Sequence, residues 1–428
     1  MGVFPRRPPW RAPTLFTNIR IFDGTGAPSF PGEALVEGNR IRAVARGDAR
    51  IERGGAEIVD GGGATLMPGM VEAHAHLSWP SAVDRIINAM KLPVEEHLLI
   101  TARNARITLD HGFTSAYSAG ALGTRFEVAL RDEINGGWLP GPRLKASSIE
   151  RAPARSFGLP ESHDEGHGRG PDAMRKYIRS CAALGIDSVK LLLSGDDNFT
   201  PNGSQDLPYD EDEIAAAGEE ARECGIWLAC HAQAAAAVKL GLRHGFRVLY
   251  HCSYADEEAL DMLEAKRDEI FIAPAIGLAD GAILNGPSMG LPPEGIARGH
   301  RIMELQRRLV PELRRRGLRV LPGGDYGFPH NPIGRNARDL ELFVTLFGYT
   351  EAETLMAATK WGGEIMGMGD ELGLVREGYL ADLLLVNGDP TQDVRILQDR
   401  DNLLMIMKDG AYHKRPAEQF TARRLAAE

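Results

Sequence analysis

From about residue 14 to 66, apolar and polar residues alternate in short runs, the period of a half-buried strand. "LFTNIRIFDGTG" and "EALVEGNRIRAVA" carry the pattern, and Gly38-Asn39 inside the second predicts a hairpin turn. The same alternation returns near the other end in "YLADLLLVNGDP" and "NLLMIMKDGAYH", the latter with a turn at Asp409-Gly410. The two ends are expected to pair into one small β-sandwich domain, residues 1–66 plus 371–428, with residues 67–370 inserted between them.

Between those ends, short apolar runs alternate with amphipathic helical stretches, the signature of βα units and a parallel sheet. The predicted strands are "ATLMPGMVEAH", "FTSAYSAG", "PRLKASS", "SVKLLLSG", "IWLACHA", "RVLYHCS", "IFIAPAI" and "LRVLPGGD". Helices are expected over 209–224 and 299–317, among others. Eight such strands over this span predict an α/β fold, a (β/α)8 TIM barrel. No internal repeat or low-complexity segment interrupts it. The least regular stretch, 147–171, is read as a long loop after the third strand, and long loops in barrels are more often functional than idle.

Composition narrows the function. A chain of 428 residues with net charge −10 lacks the basic footprint of a nucleic-acid binder. The run Arg314-Arg315-Arg316 before Gly317 reads as a helix C-terminus complementing the helix dipole. Cys181, Cys224, Cys230 and Cys252 are too few and too irregularly spaced for a disulfide framework or a CxxC zinc site. Cys230 and Cys252 sit in apolar runs as small hydrophobes. The N-terminus has no apolar signal-peptide core and no run is long enough to cross a bilayer, so a cytoplasmic protein without membrane contact is expected.

In a barrel enzyme the chemistry sits at the C-terminal ends of the strands. His74 and His76 close the first predicted strand, His231 the fifth, His251 the sixth and Asp325 the eighth. Two residues at i and i+2 on a strand share a face, so the His74-Ala75-His76 pair can reach one ion. Four imidazoles and a carboxylate suit zinc or a similar divalent ion. Lys190 lies inside the apolar strand "SVKLLLSG", where an ammonium is costly to bury. Burial favours a neutral amine, which takes up CO2 to form a carbamate able to bridge two cations.

This set, "HAH" at 74–76, "VK" at 189–190, His231, His251 and Asp325, resembles the amidohydrolase superfamily. It is most similar to the imidazolonepropionase-like branch, with its metal-dependent, prolidase-like dipeptidases and N-acyl amino acid hydrolases. "ATLMPGMVEAHAH", "HGFTSAYSAG" and "AATKWGGEIMGMGDELGLVREGYLADLLLVNGDP" carry the likeness, which runs from about 14 to 415. The resemblance implies a barrel plus a composite β-sandwich and a two-metal site. His74, His76 and Asp325 would hold one ion and His231 and His251 the other, with carboxylated Lys190 and a hydroxide bridging them. Zinc is the expected metal, with manganese or cobalt as substitutes. Asp325 would shuttle the proton from the hydroxide to the leaving nitrogen.

The expected reaction is hydrolysis of an amide-type C–N bond in a small-molecule substrate: a dipeptide, an N-acyl amino acid, or an aryl amide or urea. Opening of a cyclic amide, as in imidazolonepropionase, uses the same ligands. Deamination fits less well, because deaminases of the superfamily carry a glutamate after the strand-five histidine, where this chain has Ala232, Gln233 and Ala234. A non-catalytic assembly protein on the same fold would tend to lose ligands, and all six are kept. A homo-oligomer is expected from the relatives.

Two departures stand out. Gly324 occupies the position before the aspartate where relatives usually have a threonine. Gln233 stands where some dipeptidases have a tyrosine that polarises the carbonyl, and it either donates a hydrogen bond in that role or packs. The Gly166-His167 pair resembles a "GGH" that lines the pocket in relatives, which makes His167 a substrate-binding candidate, with His163 a weaker one. Trp79, Tyr326 and His330 are further candidates by position, along with Ser78, Asp196, Asp197, Asn198 and Phe328. The aromatics of "DYGFPH" suit a ring or large apolar group.

Overall fold

The two ends of the chain meet in one sheet. A computed structural model describes residues 12–82, 92–153, 168–196 and 203–418, with strands numbered along the chain. β1 (Thr14–Ile21), β2 (Phe30–Glu37), β3 (Arg40–Arg46), β4 (Glu57–Asp60) and β5 (Thr65–Pro68) come from the N-terminal side. β14 (Leu383–Val386), β15 (Leu403–Lys408) and β16 (Ala411–Lys414) come from the C-terminal side. The order is β16-β15-β14-β5-β1-β2-β3, with β4 on β1, and the halves join where Leu383 opposes Pro68 in the antiparallel β14–β5 pair. Both predicted turns form there. Gly38 has φ +63°, and Asp409 and Gly410 have φ +49° and +69°, the left-handed pair that a tight hairpin needs.

The run "ATLMPGMVEAH" is two strands rather than one. β5 belongs to the sandwich, and β6 (Met70–Ala75) opens the barrel. Gly69 is the joint: its N–H donates to the Asp382 carbonyl, and a Cβ there would lie 2.1 Å from Thr114 Oγ1. Only glycine fits this close approach.

The parallel strands follow in chain order. β6, β7 (Phe113–Ser118) and β8 (Arg143–Lys145) form one set. β9 (Ser147–Arg151), β10 (Ser188–Leu192), β11 (Trp227–Ala234), β12 (Val248–Tyr254) and β13 (Phe271–Ala273) form the next. A parallel bridge between Ala121 and Ile149 links the sets, and one between Ile272 and Val320 carries the ring onward. The resulting (β/α)8 barrel has an apolar interior of Val71, Ala73, Ala229, Val248, Tyr250, Phe271 and Leu321. Val189, Leu191, Cys230, Leu249 and their neighbours pack outward against the helices.

Two expectations are corrected here. "LRVLPGGD" forms a single bridge rather than a strand, because Pro322 has no N–H to offer a ladder and two glycines follow it. The stretch 147–171 is not loop from its start, since Ser147–Arg151 is β9. The helix expected at 209–224 spans Glu211–Cys224, closed by a reciprocal Asp210–Glu213 capping box and by Gly225 at φ +68°. That expected at 299–317 begins earlier and spans Pro293–Arg315.

The arginine run does more than complement a dipole. Arg314 makes a fork on Glu353, at 2.6 and 2.7 Å. Arg316 is enclosed by Glu257, Asp261, Glu264 and Glu312, tying its own helix to the helix Glu257–Ala265. Cys181, Cys230 and Cys252 are buried, Cys224 is exposed, and none of the four is in a disulfide. No helix among the described residues is long and apolar enough to cross a membrane.

Glu127, in the first turn of the helix Phe126–Asn135, is buried under the barrel strands and accepts the Ser147 N–H. Burial pushes its carboxyl up from 4.5 to about 7. The folded chain thus keeps a proton that the unfolded chain releases above its ordinary pKa, so stability falls as pH rises through this window. The expected loss is on the order of 3 kcal/mol. Denaturant unfolding at pH 4.5 and pH 8 should show a fall in the wild type, and Glu127→Gln should make it smaller by about this amount, leaving the share of the other buried carboxyls Glu72 and Asp339.

Candidate metal centre

Strand alternation, and two breaks in it, aim the candidate residues at one point. On β11, Ala229 faces the barrel interior while Cys230 and Ala232 face the helices, so His231 and Gln233 lie on the inner face. Val189 and Leu191 face outward on β10, which leaves Lys190 inside. On β6 the alternation slips. Val71 and Ala73 are interior, yet Ala75 and Leu77 pack outward, and the register shifts between Glu72 and Ala75. That slip turns both His74 and His76 inward. On β12 the left-handed residues His251 (φ +72°) and Cys252 (φ +54°) bring the His251 ring into the mouth just after the interior Tyr250. Asp325 is also left-handed, at φ +58°. Such conformations cost roughly 1–3 kcal/mol each outside glycine and concentrate at functional sites.

The side chains converge. His76 Nε2 lies 3.1 Å and His74 Nε2 3.8 Å from Asp325 Oδ1. Donor atoms of these three buried residues fall within 4.8 Å of one another, the spacing of a metal-ligand group. Ring centroids of His74 and His251 are 5.4 Å apart, and those of His231 and His251 4.3 Å. The Gly120 carbonyl takes a hydrogen bond from His76 Nδ1 at 2.9 Å, which fixes the ring with Nε2 turned toward Asp325. Burial, followed by its charged neighbours, holds His74 and His251 well below the usual imidazole range. For His76 burial acts downward too, but the Asp325 hydrogen bond and charge outweigh it and the net shift is upward. His74 Nδ1 is buried with no hydrogen-bond partner among the described residues. His74 and His251, both biased toward the neutral imidazole and the first with an uncommitted nitrogen, lie with His76 and Asp325 in a donor set that fits a divalent cation.

Lys190 is wholly buried at the centre of this group. Its Nζ donates to the Ala119 carbonyl at 2.8 Å, lies 3.0 Å from Glu150 Oε1, and sits 4.4 Å above the Tyr250 ring. Glu150 is the partner that the sequence reading missed. It faces Lys190 directly in the β9–β10 register. Burial disfavours its charge, but Lys190, His76 and His231 outweigh that and hold it down at about 2. The alternation in "SSIER" was the available signal, hidden by reading that stretch as loop.

A second layer braces the first. Glu72 accepts the His74 backbone N–H at 3.0 Å and the Asn336 side chain at 2.6 Å, and burial pushes it up to about 8. Asn331 donates to the carbonyls of Gly324 and Asp325 at 2.8 and 3.1 Å. Asp339 accepts the Gly323 N–H and the Tyr326 hydroxyl at 3.0 and 2.6 Å. Three residues of one short segment, 331–339, thereby hold both the histidine strand and the aspartate loop.

Residues 65–412 match the family model described as "Amidohydrolase family". The chain belongs to the amidohydrolase family. It is 25% identical over 383 residues to ochratoxinase of Aspergillus niger, covering 82% of this chain and 76% of that protein. It is 24% identical over 421 residues to imidazolonepropionase of Acidiphilium cryptum, covering 90% and 95%. A crystallised amidohydrolase superposes with a TM-score of 0.83 at 26% identity, covering 95% of this chain and all of the other. This amidohydrolase is a hydrolase acting on carbon–nitrogen bonds.

The amidohydrolase's glycine before Asp325 has a local cause. A Cβ on Gly324 would lie 2.5 Å from Asp339 Oδ1 and 2.5 Å from Tyr326 Cε2. The Tyr326–Asp339 pair fills the space a threonine side chain would need. Gly324→Thr should therefore displace that pair and lower both the unfolding midpoint and the bound metal. Thermal denaturation and metal analysis of the variant check both.

Tyr326 is buried with its hydroxyl committed to Asp339, behind the cluster. Trp79 packs edge-on to His76 at 5.7 Å and against Phe328 at 5.1 Å, and Phe328 in turn lies 5.7 Å from His330. These rings make an aromatic wall on the His76 side. Gln233 donates through Nε2 to Asp196 Oδ2 at 2.9 Å on the opposite, His231 side. His163, His167, Asp197 and Asn198 lie outside the described residues.

Proposed function

We propose that this chain hydrolyses an amide-type C–N bond of a small molecule at a divalent-metal centre held by His74, His76, Lys190, His231, His251 and Asp325. The convergence of His74, His76 and Asp325 within 4.8 Å supports this reading most strongly. In it His74, His76 and Asp325 would hold one ion and His231 and His251 a second, with Lys190, carboxylated by CO2, as the ligand they would share. Zinc suits these donors, and manganese or cobalt can replace it. Bound there, such ions supply Lewis acidity to the scissile carbonyl and activate water at neutral pH.

The remaining work falls to the chain's own groups. Asp325, held by its clamped backbone, takes a proton from the attacking water and returns it to the leaving nitrogen. Carboxylation of Lys190 requires Glu150 to give up its place beside Nζ. The aromatic wall of Trp79, Phe328 and His330 receives the apolar part of the substrate and excludes water. The substrate is a dipeptide, an N-acyl amino acid, or an aryl amide or urea.

A hydrolysis screen of the metal-loaded protein against those classes and against cyclic amides tests the reading. Release of the amine from at least one exocyclic amide, abolished by chelation, is the expected result. Turnover of cyclic amides alone would replace it with a ring-opening activity.

A further inference from the structure

Gln233 is two residues beyond His231 on the inner face of β11, about 6.7 Å further along the strand axis. Its backbone N–H donates to Ser194 Oγ at 2.8 Å, and its side-chain Nε2 to Asp196 Oδ2 at 2.9 Å. The amide cannot flip, because that would set its oxygen against the Asp196 carboxylate, acceptor against acceptor. Its orientation is thus locked. The other end, Oε1, is buried with no hydrogen-bond partner among the described residues, in a residue only 4% exposed. An unpaired buried amide oxygen costs roughly 1–3 kcal/mol, and a native site tolerates that cost where a ligand supplies the missing donor.

Resting on the hydrolase reading above, we propose that Gln233, oriented by Asp196, is a specificity-determining residue that selects substrates with an amino or ureido N–H adjoining the scissile carbonyl. The spacing fits. A carbonyl seated at the ligand cluster, a donor one or two bonds away, and a hydrogen bond of about 2.9 Å together span the distance from His231 to Gln233. The polar subsite lies on the His231 side and the Trp79–Phe328 wall on the His76 side. The carbonyl therefore has the N–H donor on one flank and an apolar or aromatic group on the other. This also separates Gln233 from a carbonyl-polarising role, since the group it has to satisfy is an acceptor.

The test compares phenylalanine anilide with hydrocinnamic anilide, which differ only in the α-amino group. The metal-loaded wild type should prefer the amino compound in kcat/KM by at least about tenfold, since a site built around a hydrogen-bonded N–H rejects analogues lacking it. Gln233→Met, close in length but without the amide, should cut that preference several-fold at unchanged metal content. Calorimetric binding of phenylalanine against hydrocinnamate, the acyl products, reads the same discrimination without turnover. An equal or reversed preference in the wild type, or a ratio unmoved by Gln233→Met in both measurements, overturns the inference. Discrimination in binding with no hydrolysis of either anilide or of the screened amides keeps the inference and removes the hydrolase reading.

Discussion

Asp325→Asn is expected to lower kcat by at least about a thousandfold, within the range that positioned proton transfer contributes. Asparagine keeps the shape and the hydrogen bonds that Asn331 makes to the backbone on either side. It loses the negative charge beside His76 and the ability to carry a proton from water to the leaving nitrogen. Saturating metal should therefore refill the site without restoring the rate. The circular-dichroism spectrum should match wild type, because Asp325 lies outside every strand and helix. Activity within tenfold of wild type after metal reconstitution would assign the proton transfer to another group.

Lys190→Ala is expected to act twice. It removes the group proposed to bridge the site, so activity should fall to near background. Short carboxylic acids such as acetate or propionate should restore part of it by occupying the vacated space. In the metal-free, uncarboxylated protein it also removes the Lys190 ammonium from beside Glu150 at 3.0 Å, and breaking a buried ion pair by deleting one member costs about 3–5 kcal/mol. The double variant Lys190→Ala/Glu150→Gln separates the effects. It should recover most of the lost stability in denaturant unfolding and none of the lost activity. Full activity in Lys190→Ala would make the lysine a structural counter-ion and favour a single-ion site.

The sequence made the strand order legible, because βα alternation and apolar runs report burial directly. Lys190 was legible for the same reason, a charge inside an apolar strand. What the sequence hid were the places where regular geometry breaks. The register slip between Glu72 and Ala75 and the left-handed turn at His251 and Cys252 are what bring neighbouring histidines to one point. Simple alternation would have aimed some of them elsewhere. The division of "ATLMPGMVEAH" at Gly69 was hidden because the residue that forces it, Thr114, is distant in sequence. Glu150 was missed because the third predicted strand was ended at Ser148, two residues short of it, whereas β9 runs to Arg151. Asn331, Asn336 and Asp339 act by bracing backbone, which no motif encodes.

The second layer also explains how a strained site persists. Left-handed His251 and Asp325 are unfavourable alone, but Asn331 clamps the carbonyls around Asp325 and Gln306 donates to the His251 carbonyl at 2.7 Å. Those bonds fix the backbone before any ligand arrives, the preorganisation that hydrolytic chemistry requires.

Metal analysis of the purified protein, paired with amide hydrolysis before and after chelation, tests the central claim most directly. The account predicts about two divalent ions per chain, with activity lost on chelation and regained with zinc, manganese or cobalt. A folded protein that binds no divalent metal, or that cleaves amides equally well without it, would contradict the account.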